Sequence, residues 1–421
     1  MNIGFDAKRA FHNTTGLGNY SRNLLMALSE FYPDHEYYLF NPADSVIFRP
    51  VAKNMHEVQP VSLFHKLIRS AWRSSWVKKD LKKLNIHLYH GLSHEIPIGI
   101  HTTGIKSVVT IHDLIHERFP EQYSFTDANI YRKKFRYACR HADKIIAISE
   151  QTRKDIMEFY EIPAEKIRVC YQSCHPDFAE PVSDDEKSRV RSRYGLPDEY
   201  FLCVGSIIER KNLLNICRAL HLNRRELNIP LVVIGDGGSY KAKVKEYISA
   251  QGLSDLVIFL SEKELSGLPI KYGRKMDELH ELESEIFDKE DLSEEKALER
   301  VQSLVTLGQY ERTEADFPAI YQSAIAMIYP SYFEGFGIPV LESLWSRLPV
   351  ITSNVSCLPE AGGEGSYYVN PGSAEEIAEG MKKIFSDKLF ATQMIEKGWQ
   401  HAQNFTPEKS AASVMEVYKS V

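Results

Sequence analysis

Short apolar runs alternate with longer helix-like stretches along most of the chain, and this alternation limits the fold more than any other feature. The runs Asn2–Asp6, Glu36–Phe40, Ile86–His90, Ser107–Ile111, Lys144–Ser149 and Ile167–Tyr171 read as strands, with helix-like segments such as Asn19–Phe31 and Thr126–His141 between them. After the polar stretch Pro176–Pro197 the pattern restarts at Tyr200–Gly205. It continues through Pro230–Gly235, Leu256–Leu260, Ile325–Tyr329, Pro349–Thr352 and Tyr367–Asn370. Strands separated by helices pair in parallel, because a parallel return needs a long crossover that a helix supplies. Two such series predict an α/β chain with two doubly wound domains, 1–180 and 190–390, sharing one cleft. In such sheets ligands bind beyond the carboxyl ends of the strands.

The stretch 262–316 breaks the pattern. It holds 16 acidic and 8 basic residues, and its core, Lys275–Leu307, reads as one or two helices inserted into the second domain. It is either a solvated helical excursion or an arm that recognises a partner or acceptor. The whole chain of 421 residues has 51 basic and 57 acidic side chains, a balance that argues against a nucleic-acid partner. Its six cysteines include no CxxC pair and read as reduced thiols. The opening MNIGFDAKRAF lacks the basic and apolar regions of a signal peptide, and no run approaches the ~18 apolar residues of a membrane span. A cytoplasmic location follows as the expectation.

The strongest chemical signal is Pro330-Ser-Tyr-Phe-Glu334-Gly335-Phe336-Gly337-Ile-Pro339-Val-Leu-Glu342. A strand runs into a glycine-containing loop and then a helix with proline in its first turn, where a missing N–H costs nothing. Such a helix start favours a phosphate, and the glycines allow close backbone approach. Glu334 and Glu342 would contact different parts of one extended ligand, form a hydrolase-type acid/base pair, or be incidental to a plain glycine-proline helix entry. Gly205-Ser-Ile-Ile-Glu-Arg210-Lys211-Asn212 also follows a strand. Adjacent cations there suit a diphosphate leaving group whose charge no metal neutralises, or are an ordinary exposed basic pair. Gly16-Leu-Gly18 opens a helix after the first strand, which suits a loop approaching a phosphate or sugar or simply entering a helix. His112, in Thr110-Ile-His112-Asp113, ends a strand and would point into the cleft or serve as a buried structural group. Gly235, in Val233-Ile-Gly235-Asp-Gly, marks a turn that helps to shape a nucleotide pocket or is a simple turn.

One further stretch concerns location. His65–Leu84 holds seven Lys/Arg and one Asp, with Leu67, Ile68, Trp72 and Trp76 at helical spacing. It reads as an interfacial helix in peripheral contact with an anionic membrane, or as a surface helix whose tryptophans face the core.

Taken together, these residues resemble the retaining glycosyltransferases of family 4, the group 1 class with the GT-B architecture of two Rossmann-like domains. The resemblance rests on Glu334-Gly-Phe-Gly-Ile-Pro-Val-Leu-Glu342, Gly205…Arg210-Lys211-Asn212 and Gly16-Leu-Gly18. Leu358-Pro-Glu-Ala-Gly…Tyr368-Val-Asn-Pro and Ala147-Ile-Ser-Glu-Gln-Thr add to it. It implies a hexose moved from a nucleoside-diphosphate sugar to a glycan or lipid-linked acceptor hydroxyl with the anomeric configuration kept. Mannose from GDP-mannose is the favoured donor, and no cofactor or metal is expected. Arg210 and Lys211 would stabilise the departing diphosphate, and Glu334 would contact the transferred sugar. Glu342 would bind the ribose. Gly335, Phe336 and Gly337 would hold phosphate and sugar, with Gly16 and Gly18 closing from the other domain and His112 near the reacting sugar. The segment 391–421 would be a helix crossing back to the first domain. A same-fold epimerase or phosphorylase, and a non-catalytic sugar-nucleotide-binding scaffold, are the alternatives.

Overall fold

The computed structural model describes residues 1–50, 52–62, 65, 68–260 and 316–421; apart from Asp316, the expected insertion 262–316 lies outside the described residues. Among those residues the strands form two wholly parallel sheets. The first has the order β3-β2-β1-β4-β5-β6-β7, with β1 (Asn2–Asp6), β2 (Glu36–Phe40), β3 (Met55–Val58), β4 (Leu88–Gly91), β5 (Lys106–Ile111), β6 (Lys144–Ala147) and β7 (Ile167–Val169). The second has the order β10-β9-β8-β11-β12-β13, with β8 (Phe201–Val204), β9 (Leu231–Ile234), β10 (Val257–Leu260), β11 (Ala326–Tyr329), β12 (Val350–Ser353) and β13 (Ser366–Val369). The central strands are buried throughout, as apolar runs covered by helices on both faces must be. In both sheets the chain winds outward to one edge and then returns to fill the other. The order therefore reverses between β1 and β4 and again between β8 and β11. Loops leaving neighbouring strands diverge at such a point and open a crevice.

Every strand expected from the sequence forms, with ends shifted by no more than two residues. β3 was not expected: Met-His-Glu-Val is too polar to read as a core strand, and it lies at an edge where only Met55 is fully buried. The helices that matter for the site are α1 (Gly16–Phe31), α2 (Phe125–His141), α3 (Glu150–Tyr160), α4 (Leu213–Asn223), α5 (Ile338–Trp345), α6 (Lys388–Ala402) and α7 (Pro407–Lys419). Ser124, Ser149 and Thr406 cap α2, α3 and α7 by accepting from backbone N–H groups inside each helix.

The end of the chain, 391–421, is two helices rather than one. Gly398 of α6 packs so closely on Leu344 of α5 that a Cβ there would lie 2.7 Å from Leu344 Cδ2. Beyond Thr406, α7 buries Val414, Met415, Val417 and Tyr418 with Leu24, Leu25 and Leu28 of α1 in the core of the first sheet. The chain thus stitches the second lobe to the first.

Within the basic stretch, Arg69–Lys83 is an irregular helix: an α turn at Arg69–Ala71, a π segment at Trp72–Trp76 and an α segment at Val77–Lys83. Trp72 is fully buried and donates its indole N–H to Asp80 at 2.7 Å. Arg73 is held by Asp6 at 2.6 Å and Glu95 at 3.1 Å. Trp72 therefore serves the core and is not available to a lipid surface. No described helix is long and apolar enough to cross a membrane. All six cysteines are buried and unpaired.

Candidate active site at the inter-lobe crevice

The loop after β8 and the loop after β11 leave neighbouring strands and are bound to each other. Gly205 follows β8 at φ +127°, a conformation that favours glycine. A Cβ on Gly235, after the adjacent β9, would lie 2.1 Å from the Gly205 carbonyl oxygen, so these two turns pack backbone to backbone. Arg210 and Lys211 follow in one 3₁₀ turn, which Asn212 closes in the left-handed region at φ +65°. The Asn212 amide donates to the carbonyls of Pro330 at 3.0 Å and Pro371 at 2.6 Å. Tyr332 N–H donates to the Arg210 carbonyl at 2.9 Å. The cation turn and the glutamate loop are one rigid unit.

Glu334 is the hub of that unit and is 8% exposed. Its Oε1 lies 2.9 Å from Arg210 Nη1 and 3.8 Å from Lys211 Nζ, and accepts from the Tyr329 hydroxyl at 3.0 Å. Lys211 in turn donates to the Tyr329 oxygen at 2.7 Å, and Arg210 also donates to the Phe333 carbonyl. Burial alone would push the Glu334 carboxyl up, but Lys211 and Arg210 outweigh it and hold the group below its ordinary range. Burial raises the Tyr329 hydroxyl far above its ordinary value, with Glu334 adding to the shift, so this residue stays a neutral hydrogen-bonding bridge. The site therefore holds two cations against one ionised carboxylate, all partly shielded from water.

Gly337, at φ +107°, precedes the first residue of α5; a Cβ there would press on Leu358. Phe336 is 2% exposed and packs on Tyr171 and Phe405 at 5.7 and 5.5 Å, so its ring belongs to the core and only its backbone is left for a ligand. Glu342 lies within α5, half-buried, and accepts from the Tyr321 hydroxyl at 2.8 Å. It is thus held separately from the Glu334 hub.

The first lobe meets this unit directly. A Cβ on Gly335 would fall 2.3 Å from the His112 carbonyl oxygen, and the Thr152 hydroxyl lies 3.2 Å from that oxygen and 3.4 Å from the Gly335 carbonyl. The Glu360 carboxylate accepts from the N–H groups of Glu150 and Gln151 at 2.8 and 3.1 Å, at the start of α3, where a negative charge is favoured. Between the lobes a crevice of about 350 Å3 is lined by Phe119, Glu121, Gln122, Glu209, Arg210 and Tyr332. Gly18 is pressed on the Asn13 carbonyl, where a Cβ would lie 1.8 Å away, while Gly16 opens α1 with free space around it.

His112 lies beside Gly335, 5% exposed. Its Nε2 is 2.9 Å from the Leu92 carbonyl, which can only accept, so Nε2 carries the proton and Nδ1 is left as an acceptor. Burial lowers its pKa to about 4, and likewise lowers His90 to about 3 and His116 to about 4. His94, stacked on Phe135 at 4.1 Å, is depressed in the same direction by burial. These folded values lie below the unfolded value near 6.5. The stabilisation from keeping each ring neutral is complete above about pH 6.5 and is lost as pH falls towards 4. Asp113 and Asp155, raised by burial, titrate in the opposite sense. Between pH 7 and 5 the three histidines with stated values withdraw stability, and Asp113 and Asp155 return part of it. Urea unfolding at the two pH values should therefore show a markedly lower midpoint at pH 5; equal midpoints would contradict the buried neutral rings.

The sequence singled out the cations and the glutamates but not Tyr329, which bridges Lys211 and Glu334. Its one signal is its place as the last residue of a strand feeding the glycine loop. Glu360 was visible only as part of Leu358-Pro-Glu-Ala-Gly, with nothing to show that it caps a helix of the other lobe. Among the described residues no group of three His, Cys, Asp or Glu side chains stands close enough to hold a metal ion.

Comparison with known proteins agrees with this fold. Residues 14–178 match the Glycosyltransferase Family 4 description, and residues 184–276 and 288–401 match Glycosyl transferases group 1. An O-antigen chain mannosyltransferase B of Escherichia coli is 24% identical over the full length of both chains. A serotype-specific mannosyltransferase WbdA of Escherichia coli is 27% identical over 72% of this chain and 32% of its own length. Among solved structures, Anabaena HepE in complex with UDP-glucose superposes over the whole of both chains with a TM-score of 0.69 at 16% identity. WaaG, a glycosyltransferase involved in lipopolysaccharide biosynthesis, superposes over 99% of both with a TM-score of 0.64 at 16% identity. With matches over both lobes and the GT-B fold beneath them, the chain belongs to the family 4, group 1 glycosyltransferases, enzymes that transfer a sugar from a nucleotide-sugar donor.

Proposed function

We propose that this enzyme is a retaining mannosyltransferase that moves mannose from GDP-mannose to a hydroxyl of a glycan or lipid-linked acceptor in cell-surface polysaccharide synthesis. One observation carries the site assignment: Arg210, Lys211, Tyr329 and Glu334 converge at the β8/β11 switch point, where Arg210 lines the crevice shared with the first lobe. The choice of mannose is supported by the names of the relatives from Escherichia coli.

In this reading 190–390 holds the donor and 1–180 supplies the acceptor side. Lys211 and Arg210 take the diphosphate, exchanging part of their hold on Glu334 for phosphate oxygens. The Gly335–Gly337 backbone and the start of α5 hold phosphate and sugar, and Glu334 accepts hydrogen bonds from sugar hydroxyls. Glu342 binds the ribose, Gly235 shapes the nucleotide pocket, and Gly16 and Gly18 close over the phosphate. His112 lies beside the anomeric carbon. The bond from the anomeric carbon to the phosphate oxygen breaks, the bond to the acceptor oxygen forms on the same face, and the leaving phosphate takes the acceptor proton. Fixed cations are what this step requires, since negative charge grows on the diphosphate as it departs.

The test is a panel of GDP-, UDP- and ADP-hexoses, read as nucleoside diphosphate released in the presence of candidate acceptors. GDP-mannose should be turned over at least about tenfold faster than the others, the discrimination that a single polar contact provides. Preference for UDP-glucose would remove mannose but keep the transferase. A converted sugar without transfer would indicate an epimerase, and binding without turnover a scaffold.

A further inference from the structure

Asp113 follows His112 in the turn after β5, and neither the sequence motif nor the reading above gives it a role. Its Oδ1 accepts the Ile115 N–H at 3.1 Å, which fixes the carboxylate in place. Among the described residues its other oxygen has no hydrogen-bond donor. The side chain is half-buried at the seam between the lobes, and its Cβ lies 3.3 Å from where a Cβ on Gly335 would fall. Arg210 and Glu334 are its electrostatic neighbours from the second lobe, and it acts on Tyr123 from the first. Each lobe thus brings a carboxylate to the seam beside the Gly335 loop. Glu334 already serves Tyr329 and Arg210 through Oε1. A hexose presents several hydroxyl hydrogens, and each one buried without an acceptor costs binding.

We propose that Asp113 is the first lobe's specificity-determining carboxylate, accepting a hydrogen bond from a hydroxyl of the sugar being transferred. The inference rests on the donor-site reading above. It adds to that reading a contact from the opposite lobe, so that recognition of the sugar requires both lobes to be in place. The reaction stoichiometry is unchanged, because Asp113 orients the sugar and takes no proton from it.

The experiment compares kcat/KM of the full chain and of Asp113→Asn on the best donor of the panel and on its monodeoxy counterparts. Asparagine keeps an oxygen for Ile115 N–H but replaces the free acceptor with a donor. On the parent donor Asp113→Asn should lose about 10- to 100-fold, the range of a hydrogen bond to a charged group. On the one deoxy donor that lacks the contacted hydroxyl, variant and wild type should agree within about threefold. Affinity for the free nucleoside diphosphate should be unchanged in Asp113→Asn, because Asp113 meets the sugar and not the nucleoside diphosphate. Asp113→Ser, whose hydroxyl still accepts from Ile115 N–H, should show the same pattern and replaces asparagine if that variant fails to fold. An equal loss on the parent and every deoxy donor would reduce Asp113 to a structural role, and near-wild-type activity on the parent donor would also overturn the proposal. Failure of the underlying reading looks different: the wild type would turn over no nucleotide sugar, or Lys211→Ala would leave turnover intact.

Discussion

Lys211→Ala should lower kcat by roughly 10²–10³-fold, the usual cost of deleting one fixed group that stabilises developing charge. The fold should survive. Among the described residues the polar partners of Lys211 are the Tyr329 hydroxyl and, at 3.8 Å, Glu334, and Glu334 keeps the closer Arg210 at 2.9 Å. No buried charge is left unpaired. Donor binding should weaken less than turnover, since the charge on the phosphate that Lys211 meets is largest as the bond breaks. Steady-state kinetics on the best donor, with a thermal melt alongside, is the check. A variant with wild-type kcat would end the assignment of Lys211 to the diphosphate.

Glu334→Ala should behave differently, with both activity and stability falling. Removing this carboxylate leaves Arg210, Lys211 and the Tyr329 hydroxyl facing one another without their shared acceptor. Breaking a buried pair from one side typically costs 3–5 kcal/mol. Arg210 and Lys211 are 10% and 18% exposed, so solvent reaches the crevice and a value of roughly 3 kcal/mol is expected. Glu334→Gln keeps an acceptor for Tyr329 and should recover part of that stability while activity stays low. Chemical denaturation of the three proteins decides the matter. Equal midpoints for wild type and Glu334→Ala would mean that the carboxylate does not hold the cations in solution. A saturating nucleoside diphosphate should restore more stability to Glu334→Ala than to wild type, because phosphate oxygens supply the missing counter-charge.

Most of the fold was legible before any coordinates. The period of apolar residues, the length of the spacers and the break at Pro176–Pro197 are properties of contiguous sequence, and a parallel α/β pairing follows from them. The glycine-flanked Glu334 and the Arg210–Lys211 pair were legible for a related reason. Each sits in the few residues after a strand, where a doubly wound sheet puts its ligand. What the sequence left open was side-chain direction. Trp72 sits in a basic stretch that reads either as a lipid-facing helix or as one whose tryptophans face the core, and the fold buries its indole against Asp80. Phe336 lies inside the most ligand-like motif and is spent in the core.

By itself the sequence determined the two sheets, the elements that build them and the residue types able to carry chemistry, because these depend on local pattern. Only the tertiary structure decided that the turn at Arg210–Lys211 and the loop at Glu334, more than a hundred residues apart, are welded through Asn212 and Tyr329. It alone placed His112 and Asp113 of the other lobe against Gly335. The reason is strand order: which loops share a crevice depends on where each sheet reverses its winding, and long-range pairing sets that point.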